Sequence, residues 1–533
     1  MGLPAPSAQE TLLAAIARAT ERRALTKERM AELARGHRAS LSTVLSLYTY
    51  YFPPDSWKKV KVCNGLPCAL RGDGAVHRQL GVAESDVGTA SCLGYCASAP
   101  VVWKEGRFYT DASGRPKEIK ESTAAWVDAH VQGLRAYRTT GGYKALKRVL
   151  DATDRDSLLG VIEAAVLRGM GGAGFPVYLK WKAVMGSTRT DRVVVVNAHE
   201  GEPGTFKDRL ILEREPHRLI EGALIAASVV GAAVVVIALK AEYANARRVL
   251  ERSLRELAQS ASDMGFEGRL PDLELRSLVG SYVTGEETAL LEALEGRRSE
   301  PRSRPPFPAE AGLYGRPTLV QNVETLAAIP PLLLPSSDEA DRQQVVKFFC
   351  LTGDVHTPGG YREPLGIRAD SLVEKDGGSS AGELKAFFPG GLSGGLLPTS
   401  KLDVELNFEA VRKHGCGLGT GAVVAIGKDR CIVDVLSTVG EFFRSESCGK
   451  CVPCRLGTAQ LAALMGRLRD GMATEADLRE GEALAKVMQE TSLCALGQVA
   501  GKPFLDAMNG LRDEMLAHAR GVCPAHVCRP GGG

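Results

Sequence analysis

The sequence predicts a multidomain protein of the α/β class, and three observations carry that expectation. Its 533 residues exceed what one ordinary core organises, and at about 150 residues per domain they divide into three or four units. Short apolar runs alternate with helical periodicity in two separate stretches, before and after the glycine pair Gly141–Gly142. Eight of the thirteen cysteines fall into two distant sets of four, each of which asks for a module of its own.

Composition narrows the class. Hydrophobic residues make up 44% and charged residues 24%, the balance of a globular protein. The formal charge of +3, from 66 basic and 63 acidic residues, is too small to argue for a nucleic-acid or membrane surface. The longest apolar run, Ala223 to Leu239, approaches a bilayer span in length. Gly231 divides it into a helix-like half and a Val-rich half that reads as a buried strand. The first residues carry Glu10 where a signal peptide needs an unbroken apolar segment, so a cytoplasmic location is expected.

Along the chain, the first fifty residues read as short amphipathic helices ending at Pro53 and Pro54. From Val60 to about Val131, runs such as Lys59 to Cys63 and Val101 to Trp103 suggest a small α/β unit. Arg138 to Tyr143 reads as a linker because of its glycines. A larger α/β region follows, with a helix predicted over Leu158 to Leu167, a strand over Val193 to Val196, a proline-rich stretch from Pro301 to Pro308 and a helix from near Val323. Val346 to about Val435 is rich in Gly, Pro and short apolar runs, which predicts a small β-rich domain. From Leu436 to near Ala519 the pattern is helical, and the tail from Pro530 to Gly533 is expected to be disordered.

Thirteen cysteines in a reducing compartment call for metal more than for disulfides. Cys448, Cys451 and Cys454 stand at C-x2-C-x2-C spacing, and Cys494 supplies a fourth thiolate forty residues on. A tight triplet plus one distant ligand suits an iron–sulfur cubane, whereas a structural zinc more usually shows two C-x2-C pairs. Cys63, Cys68, Cys92 and Cys96 form a C-x4-C and a C-x3-C pair separated by 23 residues, which suits a 2Fe-2S cluster on two loops. Zinc stays open for this second set. Cys523 and Cys528 with His526 between them lack an evident fourth ligand, and Cys350, Cys416 and Cys431 read as small buried residues.

RGMGGAGFP places Gly169, Gly171 and Gly174 in G-x-G-x-x-G order, but after a predicted helix, where a Rossmann fingerprint would follow a strand. The glycines still let backbone approach a phosphate or ring closely, and Phe175 adds an aromatic face. Downstream, NAHEGEPGTFKDR follows the predicted strand, and Tyr282, Glu286 and Glu287 precede a helix. Such acidic residues either hold ribose hydroxyls or serve the helix dipole.

RGMGGAGFPVYLKW, NAHEGEP, TGEETALLEALEG, RPPFPAEAGLYGRPTLVQNVETL and ESCGKCVPCRLGT, in that order over about residues 145 to 520, resemble the FMN/NADH-binding subunit of respiratory complex I and its soluble relatives. The segment before them is similar to that family's thioredoxin-like 2Fe-2S partner, so the chain resembles a fusion of the two. The resemblance implies FMN contacts at Gly169, Gly171, Gly172, Lys180, Asn197, Tyr282, Gly285, Glu286, Glu287 and Asn322. It implies NADH contacts at Glu202, Phe175 and Phe307. His199 and Gln321, where the family usually has Asp and Asn, are carried as flavin-pocket positions. The implied units are an N-terminal helical segment (1–55), a thioredoxin-like 2Fe-2S domain (56–137), an α/β FMN/NAD-binding domain that is not a conventional Rossmann fold (145–345), a ubiquitin-like β-grasp domain (346–435), a four-helix bundle with the 4Fe-4S cluster (436–520) and a tail (521–533).

FFPGGLSGGLLP, together with the fused 2Fe-2S unit, looks most like the diaphorase subunit of NAD-dependent molybdenum or tungsten formate dehydrogenases. That resemblance implies a large partner subunit carrying molybdopterin and further iron–sulfur clusters. The soluble NAD-reducing hydrogenases and complex I carry similar subunits, and a zinc-stabilised nucleotide-binding scaffold is the alternative of another class. In the leading reading the chemistry belongs to the cofactors and the protein stacks, orients and tunes them, so no general acid or base is expected.

Overall fold

The computed structural model describes residues 12–20, 25–37, 39–51, 58, 60–72, 76–105, 107–111, 115–119, 131–152, 154–334 and 345–528. Glu10, Pro53, Pro54 and the tail from Pro530 to Gly533 lie outside them. The expected N-terminal helices are Leu12–Thr20, Lys27–Gly36 and Leu41–Tyr51, closed around Ile16, Val44 and Leu47. Thr26 caps the second by accepting the Arg29 N–H.

The first sheet contains β1 (Val60–Cys63), β2 (Val87–Ala90), β3 (Val101–Lys104), β4 (Arg107–Asp111) and β5 (Pro116–Glu118), in the order β2-β1-β3-β4-β5. β1 runs parallel to β2 and antiparallel to β3.

The central sheet has four parallel strands: β6 (Val193–Ala198), β7 (Val234–Lys240), β8 (Asp272–Leu278) and β9 (Thr318–Asn322), in the order β8-β7-β6-β9. The uninterrupted valines of β6 and β7 follow from this placement, since interior parallel strands are buried on both faces. The apolar run from Ala223 splits as its glycine indicates: helix Pro216–Val230 ends on Gly231 at φ 70°, and β7 begins three residues later. Among the described residues no helix is long and apolar enough to cross a membrane. The chain moves from β6 outward to β8 and then returns to β9 on the other side of β6. Such a reversal is where open parallel sheets leave room for a crevice, here at the carboxyl ends of β6 and β9.

Two local expectations are corrected. The helix predicted over Leu158 to Leu167 runs over Arg155–Ala164, started by Asp154, whose side chain accepts the Asp156 and Ser157 N–H groups. Arg138 to Tyr143 is not a linker. It joins helices Leu134–Thr139 and Lys144–Asp151, and the buried Glu221 carboxylate on helix Pro216–Val230 accepts from the Tyr137 hydroxyl and from the N–H groups of Tyr143 and Leu146. Gly141 and Gly142 make the turn that lets both helices reach that one carboxylate.

The third sheet contains β10 (Val346–Gly353), β11 (Gly359–Pro364), β12 (Leu384–Phe388), β13 (Leu397–Pro398) and β14 (Ala422–Gly427), in the order β11-β10-β14-β12-β13. Only β10 and β14 are parallel. The helical region begins at Ile432, ahead of the periodicity noted from Leu436, and comprises Ile432–Glu446, Val452–Arg469, Glu475–Thr491, Lys502–Gly510 and Arg512–Ala519 as its longer helices.

Candidate functional site: a crevice between two thiol nests

Asn197 and Asn322 end β6 and β9 at the strand-order reversal. The Asn197 amide donates to the Gly285 carbonyl at 2.8 Å, and its oxygen accepts the His199 N–H at 3.2 Å. Asn322 caps helix Val323–Ala327 by accepting the Glu324 N–H at 3.1 Å, while its amide donates to Asp208 at 2.6 Å. The glycine loop lies over the end of β9. The Met170 N–H donates to Thr325 at 2.8 Å, and a Cβ on Gly171 would stand 3.0 Å from that of Asn322, so only glycine fits without displacing the cap. Gly169 N–H donates to the Phe175 carbonyl and closes the loop. Gly172, at φ 129°, has open space where a side chain would be.

Lys180, on helix Val177–Met185, reaches Glu287 at 2.6 Å. Glu286 takes the structural role open to it, accepting the Thr288 and Ala289 N–H groups at the start of helix Glu287–Leu294, and it also pairs with Arg304. Gln321 is buried in β9 beside Val196. His199 is 4% exposed, and neither ring nitrogen has a partner among the described residues. Burial, then the nearby Lys240 charge, lowers its pKa to about 3, so it stays neutral. Two orphaned buried nitrogens beside a glycine cradle fit a polar ligand in the crevice.

Glu202 is 3% exposed and accepts the Ser393 N–H at 2.9 Å and a hydrogen bond from Tyr282. Desolvation raises its pKa. Gly391 packs so tightly on it that a Cβ there would meet Glu202 Cγ at 2.7 Å. The segment between β12 and β13 therefore closes one wall of the crevice. Phe175, in the glycine loop, and Phe307, at the N-cap of helix Pro308–Ala311, are exposed aromatics, 53% and 51% accessible and available to stack on a flat ring.

Behind the crevice lies a buried charge network that the sequence reading did not select. Lys207 contacts Asp208 at 2.7 Å and Glu324 at 3.1 Å, and Lys347 of β10 reaches Glu324 at 2.9 Å. Glu200 accepts the N–H groups of Asp208 and Arg209, and burial lifts its pKa to about 7. The TFKDR run directly after NAHEGEP was the available signal, but consecutive charges ordinarily mark a solvated face.

Cys63, Cys68, Cys92 and Cys96 are all buried and are linked by pairwise thiol contacts. Cys63 exchanges hydrogen bonds with Cys68 and Cys92, and Cys92 Sγ lies 3.7 Å from Cys96 Sγ. Hydrogen bonding with Cys63, and burial, push Cys92 up to about 12. Thiols this crowded hold their protons unless a cation replaces them, and four such donors fit an iron–sulfur cluster. The nest abuts the crevice loop: Lys240 donates to the Cys92 carbonyl and Arg209 to the Gly94 carbonyl, while a Cβ on Gly65 would contact Pro203.

Cys448, Cys451, Cys454 and Cys494 line one cavity, with Val283, Pro301 and Leu496. Cys451 occupies the N-cap of helix Val452–Arg469, where the dipole favours a thiolate, and Cys454 lies in its first turn. This donor set fits a cluster equally well. Its link to the crevice is the Tyr282 turn, whose N–H donates to Glu446 at 2.6 Å one residue before Ser447. Glu446 was missed although it opens the ESCGKCVPCRLGT motif, because the thiols of that motif drew the reading and a carboxylate before them had no evident partner.

Comparison with known proteins agrees with this division. Residues 162–331 match the Nuo51 FMN-binding domain, residues 434–518 the NADH-ubiquinone oxidoreductase-F iron-sulfur binding region, and residues 5–122 the thioredoxin-like [2Fe-2S] ferredoxin family. An F-type subunit of the NADH-quinone oxidoreductase of Rhizobium meliloti (strain 1021) is 39% identical over 410 residues, 75% of this chain and 97% of that protein. The HndC subunit of the NADP-reducing hydrogenase of Solidesulfovibrio fructosivorans is 35% identical over 426 residues, 77% of this chain and 86% of that protein. A crystal structure of NAD+-reducing [NiFe]-hydrogenase in the H2-reduced state superposes with a TM-score of 0.81 at 29% identity, covering 98% of this chain and 94% of that one. The chain thus joins an FMN-binding domain, a 2Fe-2S domain and a 4Fe-4S region, and it belongs to the family of F-type subunits of NADH-quinone oxidoreductase.

Proposed function

We propose that this chain is the NADH diaphorase subunit of a larger cytoplasmic redox complex. The observation that carries the reading is that each four-thiol nest touches a loop beside the strand ends, one the loop of Glu200 to Gly204 and the other the turn of Tyr282 to Gly285. FMN held there would take a hydride from nicotinamide and release the electrons singly to the clusters. The chain's own contribution is positional. Gly169, Gly171 and Gly172 admit a phosphate, Lys180 places a cation beside Glu287, Asn197 and Asn322 fix the pocket floor, and His199, Tyr282, Gly285, Glu286 and Gln321 complete the wall. Phe175 and Phe307 receive the nucleotide at the mouth above Glu202. Cys63, Cys68, Cys92 and Cys96 hold the 2Fe-2S cluster, and Cys448, Cys451, Cys454 and Cys494 the 4Fe-4S cluster. The units proposed are those of the sequence division, 1–55, 56–137, 145–345, 346–435, 436–520 and a tail 521–533, with the third sheet read as the β-grasp domain and the last helices as a four-helix bundle.

The experiment is direct. The isolated chain, reconstituted with FMN, iron and sulfide, is expected to reduce ferricyanide with NADH; a protein that binds FMN yet shows no such turnover would sink the reading, and bound zinc without iron would favour the scaffold alternative.

The finer proposal is that the partner is a formate-oxidising subunit carrying molybdopterin with Mo or W. The segment FFPGGLSGGLLP supports it, and its Ser393 closes on Glu202. The likeness to the NAD+-reducing [NiFe]-hydrogenase over 98% of the chain favours a second reading, a nickel partner. Metal analysis of the complex purified intact distinguishes them: molybdenum or tungsten supports the first, nickel the second.

A further inference from the structure

Away from both nests, at the other end of helix Ile432–Glu446, four side chains converge: Cys431, His518, Cys523 and Cys528. All four ligand atoms lie within 4.8 Å of one another. We propose that they hold one zinc ion in a closed Cys3His site that staples the end of the chain to the helical region, independently of the FMN and cluster chemistry.

The geometry suits one tetrahedral ion. Cys431 Sγ lies 3.2 Å from His518 Nε2 and 3.5 Å from Cys528 Sγ. Zinc–sulfur and zinc–nitrogen bonds of about 2.3 and 2.0 Å put the edges of a tetrahedron at roughly 3.5–3.8 Å, so little movement is required. Donors this close enclose one ion and leave no room for a multi-iron cluster. They are not a disulfide either, since the 3.5 Å between Cys431 and Cys528 far exceeds a sulfur–sulfur bond of about 2.05 Å.

The surroundings prepare the ligands. His518 Nδ1 lies 3.3 Å from the Leu468 carbonyl, the outer contact that holds a metal-binding imidazole with its Nε2 lone pair toward the ion. The Cys528 N–H points at Cys523 Sγ at 3.4 Å, as backbone amides do toward metal thiolates. Cys431, His518 and Cys523 are buried and Cys528 is half-buried. His526, the histidine suggested by the sequence, is exposed instead; its φ of 53° makes the turn that brings Cys528 back toward Cys523. Three thiolates and one imidazole select zinc by softness and shape, and four protein ligands leave no open position, so the role is structural. The ion would tie the tail to Cys431, the N-cap of the helix whose other end leads into Cys448.

The test uses the full chain, untagged, purified anaerobically without chelator. About one zinc per chain is expected beside the cluster iron, with zinc X-ray absorption fitting three sulfurs and one nitrogen. Cys523→Ser and His518→Ala should each lose that zinc while retaining iron and NADH–ferricyanide turnover, and Cys451→Ser should keep the zinc and lose only the iron of the 4Fe-4S cluster. Wild-type protein without zinc, a different ligand set in the absorption fit, or a Cys431–Cys528 disulfide by mass spectrometry would overturn the proposal. So would zinc that survives Cys523→Ser but disappears in Cys451→Ser, because it would then sit in the cluster nest. The wild-type absorption fit decides the matter even where a variant does not fold.

Discussion

Glu202 shows how much a single side chain can decide. Its carboxylate sits almost out of water, held by the Ser393 N–H and Tyr282, on the wall where NADH is proposed to enter. A negative charge there disfavours a reduced, anionic flavin, by about 1–2 kcal/mol for groups some 8–16 Å apart at an effective dielectric of about 20. Glu202→Gln is therefore expected to raise the FMN midpoint potential and to shift the Michaelis constant for NADH. The pH dependence has a definite sign. Burial raises the Glu202 pKa, so the wild-type carboxyl gains its proton as pH falls and converges on the Gln variant, while the difference widens as pH rises. Redox titration of both proteins across that range is the check; superimposable curves at every pH would reduce Glu202 to an anchor for the Gly391–Ser393 segment. Sequence alone marked Glu202 and His199 through their motif, but not that His199 is stripped of partners, because burial is a property of the assembled crevice.

At the scale of elements, the region around Glu221 explains both what the sequence yields and where it stops. Helical periodicity and a breaking glycine were enough to divide Pro216–Val230 from β7. The same habit of reading misjudged Gly141 and Gly142, because the partner that orders them lies 78 positions from Tyr143. A charged residue in an apolar helix advertises exposure, and nothing local says that three donors will converge on it. Glu221→Ala leaves those donors buried and unpaired, at about 1–3 kcal/mol for each. A lowered denaturant midpoint with an unchanged slope is expected, and Glu221→Gln, which keeps one acceptor oxygen, should lose less. The cysteine sets were legible for the opposite reason: most of their ligands stand in closely spaced pairs or triplets, so sequence records much of the geometry. Cys431 and His518 lie 87 positions apart and left no such record.

Across the whole molecule, the units are wired together by charges buried between them. Lys347 in the third sheet reaches Glu324 beside the crevice, and Arg209 and Lys240 in the central domain hold carbonyls of the N-terminal nest. The two nests nonetheless lie in separate units. Cys68→Ser is expected to abolish the 2Fe-2S spectrum alone, and Cys451→Ser the 4Fe-4S spectrum alone with flavin reduction by NADH preserved. Paramagnetic resonance of the reduced variants reads both, and loss of the opposite signal in either would reverse the assignment. Cys92 and Cys96 pack against Phe206, Leu210, Cys350 and Ala422, residues of the central domain and third sheet. That contact covers Cys92 and Cys96 once the units have docked. Loading is therefore expected to compete with docking: iron and sulfide supplied during refolding should fill this nest faster than the same reagents added to the folded chain.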